Sequence, residues 1–157
     1  MRQIHPSLAL LAGAAKRKNW SGLLKQMEAA LRKPAWLRAE HRVGDPTGYM
    51  RHLLYVDPHG DFVMTAITWL PGQVSPRHGH QVWCAFGVAE GELTEEQFDP
   101  QLNTLKTSVL KQGDVADRDL DGKIIHRVAN RGTAPLVSLH LYGVSAERLT
   151  TGINKYF

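Results

Sequence analysis

From Tyr49 to Tyr142 the chain is cut at short intervals by turn-forming clusters: Asp57-Pro58-His59-Gly60, Pro71-Gly72, Glu90-Gly91, Asp99-Pro100, Gly113-Asp114, Asp121-Gly122 and Asn130-Arg131-Gly132. Glycine opens positive φ, proline presets φ and removes a donor, and Asn or Asp bonds its own backbone, so each cluster favours reversing the chain. The runs between them are rich in β-branched and aromatic residues and short for helices. They predict strands over 49–56, 61–70, 81–89, 92–98, 105–112, 122–129 and 136–142. Many short strands with close turns imply an all-β antiparallel sandwich or barrel.

The residues before Tyr49 have a different texture. Residues 7–18 and 21–33 read as helices, with Ser7 and Ser21 as N-caps, Leu23, Leu24, Met27 and Leu31 at helical spacing, and Pro34 as a stop. With no repeat, low-complexity tract or linker, residues 1–157 are expected to form a single domain, 1–40 as a helical preface and about 45–150 as the barrel. The longest early apolar run, Leu8 to Ala15, is far short of the roughly 20 residues that cross a bilayer. After Met1-Arg2 it resembles a signal peptide with Ala12 and Ala14 at a cleavage site, but Lys16-Arg17-Lys18 follows at once. The favoured reading is an amphipathic surface helix whose basic end suits its C-terminal dipole.

Composition narrows the class further. Of 157 residues, 43% are hydrophobic and 22% charged, which excludes intrinsic disorder. Cys84 is the one cysteine, so no internal disulfide and no Cys-x-x-Cys metal or redox site can form, and a reducing, cytoplasmic setting is expected. Nineteen Lys and Arg against fifteen Asp and Glu leave a net charge of +4, enough to favour anions without dedicating the surface to nucleic acid. Neither a nucleic-acid nor a membrane partner is expected.

The eight histidines carry more information than the charge. In Leu136 to Tyr142, strand alternation puts Ser138, His140 and Tyr142 on one face and Val137, Leu139 and Leu141 on the other. Such a polar face borders either solvent, as on an edge strand, or a polar cavity. His78-Gly79-His80 sends two imidazoles to the same face of an extended strand, close enough to share a metal ion. His126 lies within an apolar strand, where a lone histidine is more often a hydrogen-bonded core or surface residue than a ligand.

The larger spacing resembles the cupin signature. Gly72, five residues, His78, one residue, His80, three residues, Cys84, six residues and Gly91 follow the first cupin motif, with Cys84 where its acidic ligand usually stands. Gly113 followed by His126, three residues and Asn130 is similar to the second motif, with Asp121 in place of its proline and the glycine displaced to Gly122. The resemblance implies a double-stranded β-helix, a jelly-roll barrel, with His78, His80 and His126 on one metal. Three neutral ligands leave the full divalent charge on the ion, which favours an anionic external ligand such as a thiolate.

Over residues 49–143 the match sharpens to the thiol dioxygenases of the cysteine dioxygenase family, carried by Tyr49-Met50-Arg51, Pro71 to Gly91, and His126 to Tyr142. That resemblance implies a three-histidine Fe2+ site, a Ser138-His140-Tyr142 relay beside it, and Arg51 with its neighbour Tyr49 binding the substrate carboxylate. A guanidinium can grip a carboxylate through two parallel hydrogen bonds. Without the family, Arg51 beside His52 reads as a surface strand residue. Related mercaptopropionate dioxygenases often carry glutamine at the Arg51 position and an arginine where Thr151 stands here. L-cysteine is therefore favoured as the thiol oxidised by O2 to its sulfinate, with 3-mercaptopropionate or another mercapto-acid as the alternative.

Departures from the animal-type pattern set further expectations. The crosslinking cysteine is expected five residues after the second ligand, at Ala85; Cys84 lies one position earlier, should face the other side of the strand, and should not form a thioether with Tyr142. Cys84 reads as a small buried hydrophobe. Gly143-Val144-Ser145 replaces the Ser-Pro-Pro tail. Trp69, Trp83 and Phe86 are expected to fill the barrel, with Trp83 also a candidate for the pocket wall, while His5, His41, His52 and His59 read as ordinary. Imidazoles bind zinc, nickel and copper more tightly than ferrous ion, so the ligands alone also suit a zinc centre or a cupin isomerase. A 2-oxoglutarate oxygenase would pair His with Asp or Glu instead. A non-enzymatic metal- or ligand-binding cupin is the rival of another class. Exposed strand edges leave homo-oligomerisation open.

Overall fold

The computed structural model describes residues 3–157; Met1 and Arg2, the charged start of the signal-like segment, lie outside the described residues. The first helix, α1, runs Pro6–Lys16 and the second, α2, Trp20–Arg32. Their caps are His5 and Asn19, not Ser7 and Ser21. The His5 ring accepts from Ser7 N–H, and Asn19 Oδ1 accepts from Gly22 N–H at 3.1 Å. Pro6 takes the first helical position, where its missing N–H costs nothing. Asn19 is a strong cap type and directly precedes the first helical residue, whereas Ser21 already lies inside the helix.

Nine strands follow: β1 Met50–Val56, β2 Val63–Trp69, β3 His78–His80, β4 Cys84–Glu90, β5 Glu92–Phe98, β6 Thr104–Lys111, β7 Ile125–Ala129, β8 Leu136–Tyr142 and β9 Asn154–Tyr156. They build a four-stranded sheet, β1-β2-β8-β4, and a five-stranded one, β6-β5-β7-β3-β9. The recorded pairings are antiparallel. The predicted strand 81–89 is interrupted: β3 ends at His80, residues 81–83 bend, and β4 begins at Cys84. β9 is an additional strand that no alternation announced, since three residues are too few to show a period.

The four-stranded sheet is covered on both faces. Met64, Ala66, Ala85, Ala89, Val137, Leu139 and Leu141 pack outward against Leu8, Leu11, Leu23, Met27 and Leu31 of the helices. Ile67, Trp69, Phe86, Val88 and Leu136 pack inward with Leu93 and Val128 of the facing sheet. β8 is therefore buried along its whole length, and its polar face looks into the barrel, not into water. α1 belongs to that core more than a surface helix would, with Leu8, Leu11, Ala12, Ala14 and Ala15 buried. Its basic end is tied down, as Lys16 pairs with Asp57 at 3.1 Å and Asp61 at 2.6 Å in the β1–β2 turn. Trp83 sits in this outer layer, edge-on to Trp20 at 5.2 Å, so it fills neither barrel nor cavity. Among the described residues no helix is long and apolar enough to cross a membrane.

Candidate metal centre and substrate cavity

β3 and β7 run side by side with His78 directly opposite His126. The β3 alternation that turns His78 inward also turns His80 inward, so three imidazoles meet inside the barrel. A ligand nitrogen from each lies within 4.8 Å of the others, and all three residues are buried. Each Nδ1 is already engaged: His126 with Glu95 Oε1 at 2.8 Å, His80 with Asp119 Oδ2 at 3.1 Å, and His78 with the Pro76 carbonyl at 2.8 Å. Carboxylates and carbonyls only accept, so these Nδ1 atoms donate and the Nε2 lone pairs are turned toward the common centre. His78 Nε2 and His126 Nε2 face each other at 3.1 Å. Two lone pairs that close repel unless a cation lies between them, so the donor set fits a divalent metal ion, with the cavity left on the open side.

The charge around that centre is graded. Burial, with His126 and His80 beside it, holds the His78 pKa at about 3, so His78 is neutral. Burial also opposes charge on His80, while Cys84 and Asp119 beside it favour charge, and a metal ion at Nε2 would stand in place of the proton they favour. Burial would raise the Asp119 carboxyl, but its bond to His80 and the Lys123 and Ile124 N–H groups keep it below the usual range. Glu95 and Asp119 are each only 3% exposed. Two buried carboxylates thus stand just behind the imidazoles of a site whose own ligands carry no negative charge. Gly122 lets the chain pass close here, at φ +73°, where an added Cβ would come within 2.7 Å of the His80 carbonyl oxygen.

On β8, Ser138, His140 and Tyr142 line up as the alternation requires. Ser138 Oγ lies 2.8 Å from His140 Nε2, and Tyr142 Oη 3.0 Å from His140 Nδ1. Phe86 stacks on the His140 ring at 4.9 Å and 8°, fixing its plane. Burial first, and then the Arg51 guanidinium, hold His140 well below its ordinary pKa, so it is neutral. Burial pushes the Tyr142 phenol far above its ordinary value, leaving it a neutral donor.

Arg51 and Tyr49 both line the cavity that holds the three metal-site histidines, His140 and Tyr142. Arg51 is not a surface strand residue. Its Nε is buried without a hydrogen-bond partner, and its guanidinium carbon lies 5.9 Å from the Tyr142 ring centre. Tyr49 packs on Trp69 at 4.5 Å, forming one wall. The cavity is small, about 20 Å³. A larger hollow of about 410 Å³ lies elsewhere, beside Trp36, Arg38 and His41, and shares no residue with the site. Thr151 is exposed and takes no part in the lining.

The placement of Cys84 corrects the sequence expectation. It stands directly opposite Tyr142 in the β4–β8 ladder and packs in the same cluster, on the inward face. The expectation took Ala85, five residues after the second histidine, as the inward position; the register of β4 against β8 puts Cys84 there instead. Ala85 points outward to the helices instead. Sequence reasoning also missed Asn154, which β9 brings into the cavity in register with His80. It missed Asp119 as well, and Glu95, although a glutamate in phase with buried Leu93 on β5 was a readable signal. His5 caps α1, His52 Nε2 bonds the Val43 carbonyl, and neither these nor His41 or His59 touches the site.

Comparison with known proteins places this geometry. The family described as cysteine dioxygenase type I matches residues 17–149. Among solved structures, TT1209 from Thermus thermophilus is similar with a TM-score of 0.56 and 17% identity, over 69% of this chain and 95% of that one. A protein with a double-stranded β-helix domain from Klebsiella pneumoniae subsp. pneumoniae MGH 78578 gives a TM-score of 0.56 and 21% identity, over 68% and 86%. An oxalate oxidase in complex with glycolate gives 0.51 and 16%, over 64% and 53%. At these identities the structures speak to fold alone: a cupin-type double-stranded β-helix with helices before it.

Proposed function

Because the chain belongs to the cysteine dioxygenase type I family, we propose that it is a non-haem iron thiol dioxygenase whose substrate is a small thiol carboxylate, L-cysteine by preference, converted to its sulfinate. His78, His80 and His126 would hold a ferrous ion, which would supply the redox chemistry for adding both atoms of O2 to the thiol sulfur. The observation that carries the substrate class is the buried, unpartnered Arg51 Nε in the same cavity as the three imidazoles. A buried guanidinium nitrogen without an acceptor is costly, and a substrate carboxylate is the acceptor that would satisfy it.

The remaining residues divide the work of positioning. Arg51 orients the carboxylate, and the Tyr49–Trp69 wall with Asn154 limits what fits beside it. Tyr142 keeps its proton and donates it as a hydrogen bond at the centre of the cavity, while Ser138 and His140 hold it there. Glu95 and Asp119 orient two ligand imidazoles and set charge behind them. A protein that merely bound a metal would have no use for a neutral phenol tied to a neutral imidazole in the same cavity.

The test is to load the protein anaerobically with ferrous iron, admit O2, and follow O2 uptake and sulfinate with cysteine and 3-mercaptopropionate side by side. Uptake matched by cysteine sulfinate is expected. Turnover of the mercapto-acid alone would move the substrate assignment, and no thiol-dependent uptake at full iron occupancy would overturn the enzyme.

A further inference from the structure

The relay on β8 has a fourth member whose donors and acceptors fix its direction. Trp69 Nε1–H lies 3.0 Å from Ser138 Oγ, and an indole nitrogen can only donate. One lone pair of the Ser138 oxygen is therefore taken. Its proton has two places to go: His140 Nε2 at 2.8 Å, or the Ile67 carbonyl at 3.4 Å. Hydroxyl donors hold their acceptors at roughly 2.5–3.0 Å, so the imidazole is the partner. Receiving a bond from Trp69 also polarises the hydroxyl, making it a stronger donor and a weaker acceptor.

The rest follows by exclusion. A neutral imidazole that accepts at Nε2 must carry its proton on Nδ1, and that N–H then donates to Tyr142 Oη at 3.0 Å. On its other side Tyr142 faces Arg51, whose guanidinium carbon lies 5.9 Å from the phenol ring centre and which can only donate. With its oxygen accepting from His140 and no acceptor on the Arg51 side, the Tyr142 hydroxyl proton is left to point into the cavity. Phe86, stacked flat on His140, prevents the ring from turning to exchange its two nitrogens.

We propose that a one-way donor chain, Trp69 to Ser138 to His140 to Tyr142, holds His140 as its Nδ1–H tautomer and delivers a hydrogen-bond donor to the metal side of the cavity. Trp69 is thus a positioning residue as well as part of the cavity wall, acting on the Tyr142 hydroxyl through Ser138 and His140. The tautomer stands on the hydrogen bonds alone; its value to catalysis rests on the thiol-dioxygenase reading.

Nitrogen-15 NMR of histidine-labelled, zinc-loaded protein reads the tautomer directly, with the His140 signals assigned by their loss in His140→Gln. A single Nδ1–H form is expected in the wild type, and an Nε2–H form would overturn the chain. In Trp69→Phe, which keeps an aromatic ring and removes the donor, both tautomers should appear and kcat of the iron-loaded protein should fall about tenfold at unchanged iron content. A pure Nδ1–H form in that variant, or a full kcat despite mixed tautomers, would remove Trp69 from the role. Should the wild type show the Nδ1–H form and oxidise no thiol, the donor chain stands and the dioxygenase reading falls.

Discussion

Glu95 Oε1 lies 2.8 Å from His126 Nδ1, and the two side chains are each only 4% exposed. A carboxylate so placed orients the imidazole and makes its Nε2 a better donor to a metal. Glu95→Gln keeps the shape and removes the charge, and should weaken iron binding about 10- to 100-fold. A competition titration with a chelator measures it; unchanged affinity would reduce Glu95 to a structural residue.

Arg51 makes a separable prediction. Arg51→Ala should leave iron content alone and raise KM for cysteine by at least about 30-fold, the equivalent of about 2 kcal/mol for a lost buried charge contact. Steady-state kinetics beside metal analysis of the same sample tests it. Equal KM in both proteins would remove the carboxylate clamp.

Tyr142→Phe deletes one oxygen from the cavity. With the phenol neutral at any working pH, its loss should show in kcat, by about 100-fold, with little change in iron binding. The same fall at every pH across the neutral range is expected, because no phenolate is involved. An effect confined to one end of that range would contradict a neutral donor.

Acid should loosen the attachment of α1. Burial of Asp57 would raise its pKa, but the Asp61 and His59 N–H groups and Lys16 lower it below 3.8. A carboxyl depressed in the folded state adds stability that is complete above the unfolded value near 4 and is lost as pH falls through the folded value. Asp57→Asn should therefore cost on the order of 1 kcal/mol at neutral pH, with the gap to wild type closing below about pH 4. Urea midpoints at neutral pH and in acid provide the comparison.

Gly122→Ala should strain the loop that presses on a ligand-bearing strand. At φ +73° a Cβ would meet the His80 carbonyl oxygen, so a loss on the order of 1–2 kcal/mol is expected, together with weaker metal loading. Full stability and full loading in this variant would mean that the loop gives way without cost.

What could be read in advance was whatever has a period. The alternation in Leu136 to Tyr142 identified one polar face, and the His-x-His pair placed two imidazoles together; both arrangements are seen in the structure. The choice between a solvated face and a cavity face for β8 was not legible, because it depends on which surface the helices cover, a tertiary matter. Cys84 was misplaced because Ala85, at the family's crosslink spacing, was taken as the inward residue, whereas the ladder with β8 sets Cys84 opposite Tyr142. Asp119 and Asn154 come from a loop and a three-residue strand, where no repeat exists to phase them. The helix caps were off by two residues because serine, histidine and asparagine stood close enough to compete.

β8 serves as a partition wall whose two sides have different trades. A one-residue slip in its register would turn the wall inside out, sending Val137, Leu139 and Leu141 to the three imidazoles and Ser138, His140 and Tyr142 beneath Leu23 and Leu31. Folding and chemistry therefore fail together at this strand, and a substitution on α2 that shifts β8 by a fraction of an ångström would reach the Tyr142 hydroxyl without touching the cavity.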